Sequence, residues 1–356
     1  MKPIHGGNIV SVARTLGCNT SDLLDLSSNL TPFGMAPGLK EMLISNLAQI
    51  SFLPEADSGT LCRVFAEKYG LQPDQVLAGN GTTEFIFALP AAFHTKKALL
   101  VNPTYSDYQV ACSWAGVENE DFFLTREEGF QLDFERLSTR LTGGELVFIC
   151  NPNNPTSVLI PTARLHDFLK QHPKSFFVVD ESYLPFTSEP SLLDLDLPEN
   201  LFLLCSSSKI YGIPGLRLGF LVARKKNLAC FSDRNKPWGV NSMAQISGEF
   251  LLQNADPYVH EVRSFIAEQR PEVCRALAQL PHVKVMEGAA NFILCYLSGS
   301  MRARELAEKM LQKRIMIRNC ESFTGLDDRY FRISLKDDAG NKKCLESLKQ
   351  IMEDNQ

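Results

Sequence analysis

In "NLFLLCSSSKIYGIPGLRLGFLVA", residues 200–223, two apolar runs enclose a polar turn. The runs "NLFLLC" (200–205) and "LGFLVA" (218–223) are short and apolar on both faces, as strands are when helices cover both sides of a sheet. Packing gives no reason for Lys209 to follow Ser206, Ser207 and Ser208, or for Arg217 to stand further along the same turn. A ligand carrying both an aldehyde and a phosphate does.

The same texture continues toward the amino terminus. "QVLAG" (75–79), "KALLVN" (97–102), "ELVFIC" (145–150) and "SFFVVD" (175–180) are further short apolar runs, alternating with helical patterns at 57–69, 82–93, 132–141 and 161–171. Such alternation predicts an α/β architecture, a mainly parallel sheet between helices. Beyond about residue 245 come long amphipathic helices at 241–254 and 256–279, then "NFILCYL" (291–297), a helix near 301–313, the strands "RIMIR" and "YFRIS", and a closing helix near 341–352. The expected division is an amino-terminal arm over 1–31, packing on the small domain and the cleft, a large domain over 32–245, and a small α+β domain over 246–356.

With 44% hydrophobic and 22% charged residues in 356, the composition is that of an ordinary soluble globular protein. A net charge of −5 leaves no basic footprint for nucleic acid or an anionic membrane. No apolar run reaches the roughly 18–20 residues needed to cross a bilayer, and "MKPIHGGNIV" lacks the apolar stretch of a signal peptide. The ten cysteines are scattered, without a CxxC pair and mostly among apolar neighbours. That pattern fits buried free thiols in a reducing cytoplasm. The six histidines lack ligand spacing, so no metal site is expected.

The candidate chemistry falls at predicted strand ends, where open α/β sheets bind ligands. Lys209, partly desolvated and near other cations, suits Schiff-base formation with an aldehyde, and Ser206, Ser208 and Arg217 suit a phosphate. "VVDESY" ends an apolar strand in Asp180, a carboxylate that fits a pyridinium nitrogen, with Tyr183 as donor to a phenolate oxygen. The plain alternative for that acid is a helix cap. "LAGNGTTE" (77–84) is a strand, a glycine turn and a helix start; the backbone N–H groups there with the Thr82 and Thr83 hydroxyls make an anion site, and a plain turn is the alternative. It is no dinucleotide fingerprint, because a glutamate stands where the third glycine belongs. "CNPNNPTS" (150–157) aims Asn154 over the sheet, and "NPTYSDY" (102–108) offers Tyr105 for stacking.

Taken in order, these motifs resemble the fold-type-I pyridoxal-phosphate enzymes, in the branch that contains histidinol-phosphate aminotransferases. "HGGN" at 5–8, "LLDLSSNLTPFG" at 23–34 and "RIMIRNCESFTGLDDRYFRIS" at 314–334 are similar, more specifically, to threonine-phosphate decarboxylases of cobamide biosynthesis. The resemblance covers essentially the whole chain. It implies a large domain with a mostly parallel seven-stranded sheet, a smaller α+β domain and pyridoxal 5'-phosphate as cofactor. Lys209, Asp180 and Tyr183 are then catalytic. Gly81, Thr82, Thr83, Tyr105, Asn154, Asp180, Tyr183, Ser206, Ser208, Lys209 and Arg217 hold the cofactor. Arg332, Asn29 and Asn154 meet the substrate carboxylate, and His5, Gly6 and Arg318 its phosphate. The plain alternative for Arg318 is an ion pair with Glu321 or Asp327.

The implied reaction is decarboxylation of L-threonine O-phosphate or L-serine O-phosphate by a homodimer, with Phe33, Phe52 and Trp238 as candidate contacts. A histidinol-phosphate-type aminotransferase is the alternative, since Lys209 and Asp180 serve both. A binding protein without catalysis is disfavoured by the intact Lys209, Asp180 and Arg217 set. Two departures stand out. Leu53-Pro54 replaces a Tyr-Pro whose tyrosine reaches the neighbouring subunit's cofactor phosphate, and Ser157 replaces the usual glycine, with a slightly altered pocket lining expected.

Overall fold

The computed structural model describes residues 6–93, 95–231 and 237–354. Its main sheet has seven strands in the order Val76–Asn80, Leu218–Ala223, Leu201–Ser206, Phe176–Asp180, Leu146–Cys150, Lys97–Asn102 and Glu118–Phe123. All run parallel except Leu218–Ala223, which is antiparallel to both neighbours. Side chains alternate across this sheet. Leu146, Phe148 and Cys150 face one apolar cluster, while Val147 and Ile149 face the other. Burial on two sides is why these strands are apolar throughout.

The strand Glu118–Phe123 escapes a search for such runs because it lies at the sheet edge and is mostly half-exposed. Its "ENEDFF" can stay polar where only one neighbour needs covering. Helices Ile9–Leu16, Leu39–Ser45 and Asp107–Trp114 lie outside the expected helical segments, although Ile9–Leu16 is clearly amphipathic. The expected helix at 132–141 shrinks to Phe134–Ser138.

A second sheet joins Arg318–Asn319, Tyr330–Ser334, Phe292–Leu297 and Val283–Val285, all antiparallel. The amino-terminal arm is tied to this part of the chain. Leu24 and Asp25 pair in parallel with Ile315 and Met316, and Asn291 donates its amide to the Leu30 carbonyl at 3.0 Å. Thr31 N–H also reaches the Lys209 carbonyl at 3.1 Å, so the arm touches both sheets' surroundings. The ten cysteines form no disulfide, and no helix among the described residues is long and apolar enough to cross a membrane.

Candidate active site

Strand direction gathers the predicted residues. Asn80, Asn102, Cys150, Asp180 and Ser206 all end parallel strands, so the loops after them share one edge. Arg217 precedes the antiparallel strand, which places its start at that same edge. A cavity of about 160 Å³ there is lined by Gly81, Thr82, Thr83, Tyr105, Asn154, Asp180, Tyr183, Ser206, Ser208, Lys209 and Arg217. The whole expected cofactor set meets in one place.

At one end lies an anion cradle. Gly81 has φ 74°, and a Cβ on it would come within 2.5 Å of Arg217 Nη2. Glycine therefore lets the guanidinium close over the amino end of helix Thr82–Ala92, where backbone N–H groups and the Thr82 and Thr83 hydroxyls collect. Ser206 and Ser208 complete the lining from the opposite strand end. At the other end, Asp180 is buried and accepts hydrogen bonds from Tyr108 O–H at 2.8 Å and Ser182 N–H at 2.9 Å. Burial raises its pKa, and these donors oppose the shift. No cation forms an ion pair with Asp180 among the described residues. A protonated ring nitrogen fits it, and the cradle fits a phosphate.

Lys209 sits on the single helical turn Ser207–Ile210. Burial first, then the charges of Arg332 and Arg217, push its pKa down to about 8, while Asp180 resists. A substantial neutral fraction at working pH is what a nucleophilic amine needs. Tyr105 lines the cavity with its hydroxyl on Asp107 Oδ2 at 2.7 Å, which anchors the ring as a flat wall.

Beside this cavity lies a second cluster, of cations. Arg318 and Arg332 are register partners on adjacent antiparallel strands, and both are buried. Arg332 donates through Nη1 to Asn154 Oδ1 and through Nη2 to the Ser27 carbonyl at 2.9 Å. Among the described residues its Nε makes no hydrogen bond, and neither does the buried Asn29 Nδ2. Among the described residues the Arg318 guanidinium reaches Ser322 Oγ at 2.7 Å and lies over the Phe323 ring. Burial lowers its pKa to about 10. The alternative ion pairs are not formed, because Glu321 is taken by Arg304 and Asp327 caps its own turn through Arg329 N–H. Two buried guanidiniums without a carboxylate are costly unless an anion joins them. Gly6 packs beside Ser27, where a Cβ would lie 2.2 Å from the Ser27 carbonyl oxygen, while His5 falls outside the described residues.

Some readings change. The acid that caps a helical turn after the strand is Glu181, which accepts from Ser191 O–H and Leu192 N–H, leaving Asp180 for the cavity. Ser157 does not line the cavity at all; it is fully buried behind it. Tyr108 was missed. It stands on the inner face of helix Asp107–Trp114, buried and stacked on Phe148.

The family model for class I and II aminotransferases matches residues 21–348. A threonine-phosphate decarboxylase of Salmonella typhimurium is 33% identical over 354 residues, 98% of this chain and 96% of its own. The crystal structure of an L-threonine-O-3-phosphate decarboxylase from Porphyromonas gingivalis superposes with a TM-score of 0.84 at 29% identity, covering 92% of this chain and 99% of that one. A histidinol-phosphate aminotransferase from Clostridium acetobutylicum gives 0.86 at 26% identity over the same shares.

Proposed function

Because the chain belongs to the class I and II aminotransferase family, we propose that it is a pyridoxal 5'-phosphate-dependent decarboxylase acting on L-threonine O-phosphate or L-serine O-phosphate. The products are carbon dioxide and an amino-alcohol phosphate, a unit suited to the linker of a cobamide nucleotide loop. The observation that carries the reading is Arg318: a buried guanidinium with no carboxylate, opposite Arg332 on the next strand, provides for a second substrate anion. The 33% identity to a threonine-phosphate decarboxylase supports it.

When bound, the cofactor supplies an electron sink for the bond broken at the substrate's Cα. Asp180, held by Tyr108 and Ser182, keeps the ring nitrogen protonated. Tyr105 gives the ring a wall, and Tyr183 with Asn154 faces its oxygen. Arg332 and Asn29 orient the carboxylate through Nε and Nδ2, which make no hydrogen bond among the described residues. Arg318, Gly6 and His5 take the phosphate. Lys209, with a pKa of about 8 that keeps its ammonium form available near neutral pH, gives a proton to Cα once the carboxylate has left as carbon dioxide.

Purified protein incubated with each phosphorylated amino acid, without any 2-oxo acid, tests this: release of carbon dioxide and amine supports decarboxylation. Turnover only of histidinol phosphate, and only with 2-oxoglutarate, would make the chain an aminotransferase. A single methyl separates the two preferred substrates and is worth only about 1–3 kcal/mol, so their rate ratio must be measured.

Arg318→Ala is expected to raise the substrate KM roughly tenfold or more, because a charge-assisted hydrogen bond contributes about 1.5–3 kcal/mol. Cofactor affinity should stay unchanged, since Arg318 does not line the cofactor cavity. An unaltered KM would remove the phosphate from this reading.

The working unit is a homodimer. Phe52 and Leu53 are 67% and 75% exposed and Trp238 is 49% exposed, with Ile44, Leu47 and Ile50 also open to solvent on the same segment. An apolar patch of this kind suits a second copy of the chain. Light scattering should give twice the chain mass, and an active monomer at working concentration would contradict it. Leu53 offers no hydroxyl across such an interface, so the contact that the family's tyrosine makes to the neighbouring subunit's cofactor phosphate is lost at this position. The unpaired cysteines support a reducing, cytoplasmic setting.

A further inference from the structure

Ser157 is fully buried and adopts φ 62°, a left-handed backbone that a side chain disfavours and glycine accepts freely. Its side chain does not reach the cavity. It has other partners. Ser157 Oγ accepts from Ala290 N–H at 2.8 Å, and the Ser157 carbonyl accepts from Ala289 N–H at 2.7 Å. Ala290 is itself fully buried. The approach is close because position 288 is glycine, where a Cβ would lie 2.6 Å from Ser157 Cβ.

Both sides of this contact lead to the site. On one side, Ser157 N–H donates to Asn153 at 2.6 Å, and the Asn153 side chain binds the Pro103 carbonyl and the Thr104 hydroxyl, each at 2.8 Å. That ties the Asn154 loop to the segment carrying Tyr105. On the other side, residues 289–290 lead into the strand Phe292–Leu297, whose Leu294 is the register partner of Arg332. Arg270 fixes this lead-in from behind, donating to the carbonyls of Gly288, Ala290 and Phe292. Arg332 meets the same loop again through Asn154.

We propose that Ser157 is a positioning residue, its hydroxyl and carbonyl oxygens latching residues 289–290 to the Asn154 loop and so holding the strand pair that bears Arg332 at working distance from the cofactor. The role rests on the decarboxylase reading above, in which Arg332 orients the substrate carboxylate. A serine in a backbone made for glycine is explained by the latch. Substrate placement depends on the hydroxyl and cofactor capture does not: the Ser157 N–H bond to Asn153, which steadies the Asn154 loop and the Tyr105 segment, survives its loss, and Lys209, Asp180 and Arg217 stand on other loops.

Two variants separate the latch from backbone strain. Ser157→Ala keeps the strain and loses the hydroxyl, whereas Ser157→Gly loses both. Both are expected to raise the KM for the phosphorylated amino acid by about fivefold or more with cofactor Kd unchanged, although the glycine variant should melt higher than the alanine one. Amide hydrogen exchange of the ligand-free protein should accelerate at Ala290 in both. Wild-type kinetics in Ser157→Gly with a defect confined to Ser157→Ala would reduce the position to strain and overturn the proposal, as would unchanged exchange at Ala290. Exchange needs no substrate. A wild type inactive on both phosphorylated amino acids would therefore count against the decarboxylase reading alone, with the latch still judged by exchange.

Discussion

Lys209→Ala is expected to abolish turnover and to remove the visible absorbance of covalently held pyridoxal phosphate, while the cofactor can still bind through its phosphate. The amine is the only lysine nitrogen among the residues that line the cavity, and burial with Arg332 and Arg217 lowers its pKa to about 8. The neutral amine is the reactive form. Covalent capture of cofactor by the apo-protein should accordingly speed up as pH rises and level off above about 8, rather than near the ordinary lysine value of about 10.4. Borohydride reduction followed by peptide mapping checks the attachment. Retention of reducible cofactor in Lys209→Ala would move the linkage to another lysine and dismantle the site as described.

Asp180→Asn should preserve the fold and the covalent linkage but lower kcat by roughly a hundredfold or more, about 2.7 kcal/mol of transition-state stabilisation. The amide has nearly the shape of the carboxylate: its oxygen can still accept from Ser182 N–H, and its NH2 can donate to the Tyr108 hydroxyl. It cannot hold a proton on the ring nitrogen by charge, and an unprotonated ring is a poorer electron sink. Tyr108→Phe supplies the graded comparison: it leaves the carboxylate in place with one donor fewer, so its defect should be smaller. Near-normal turnover of Asp180→Asn with an unchanged cofactor spectrum would mean that the carboxylate serves only the Ser182 turn.

Much of this was legible in residue order. Apolar runs that tolerate no polar face identified the central strands, and the lysine, aspartate and arginine at their ends identified a cofactor carrying an aldehyde and a phosphate. Other features were not legible for definite reasons. The edge strand Glu118–Phe123 is half-exposed and so carries no apolar signature. Tyr108 lies 72 residues from the Asp180 it supports, and nothing local to either marks the pair. Ser157 reads as a small change in a loop, because its partners Ala289 and Ala290 are more than a hundred residues away.

By itself the sequence determined the α/β class, the burial of the strands and the chemical kinds of group present, since these follow from periodicity and residue type along neighbouring positions. Tertiary structure decided which of those groups meet. Arg217 joins the phosphate cradle only because the strand after it runs antiparallel and brings its start to the edge where the other strands end. Arg318 and Arg332 come together as a pair of buried guanidiniums only because their strands lie side by side in register. Strand direction and register are set by the packing of the whole chain, and no short window of residues contains them.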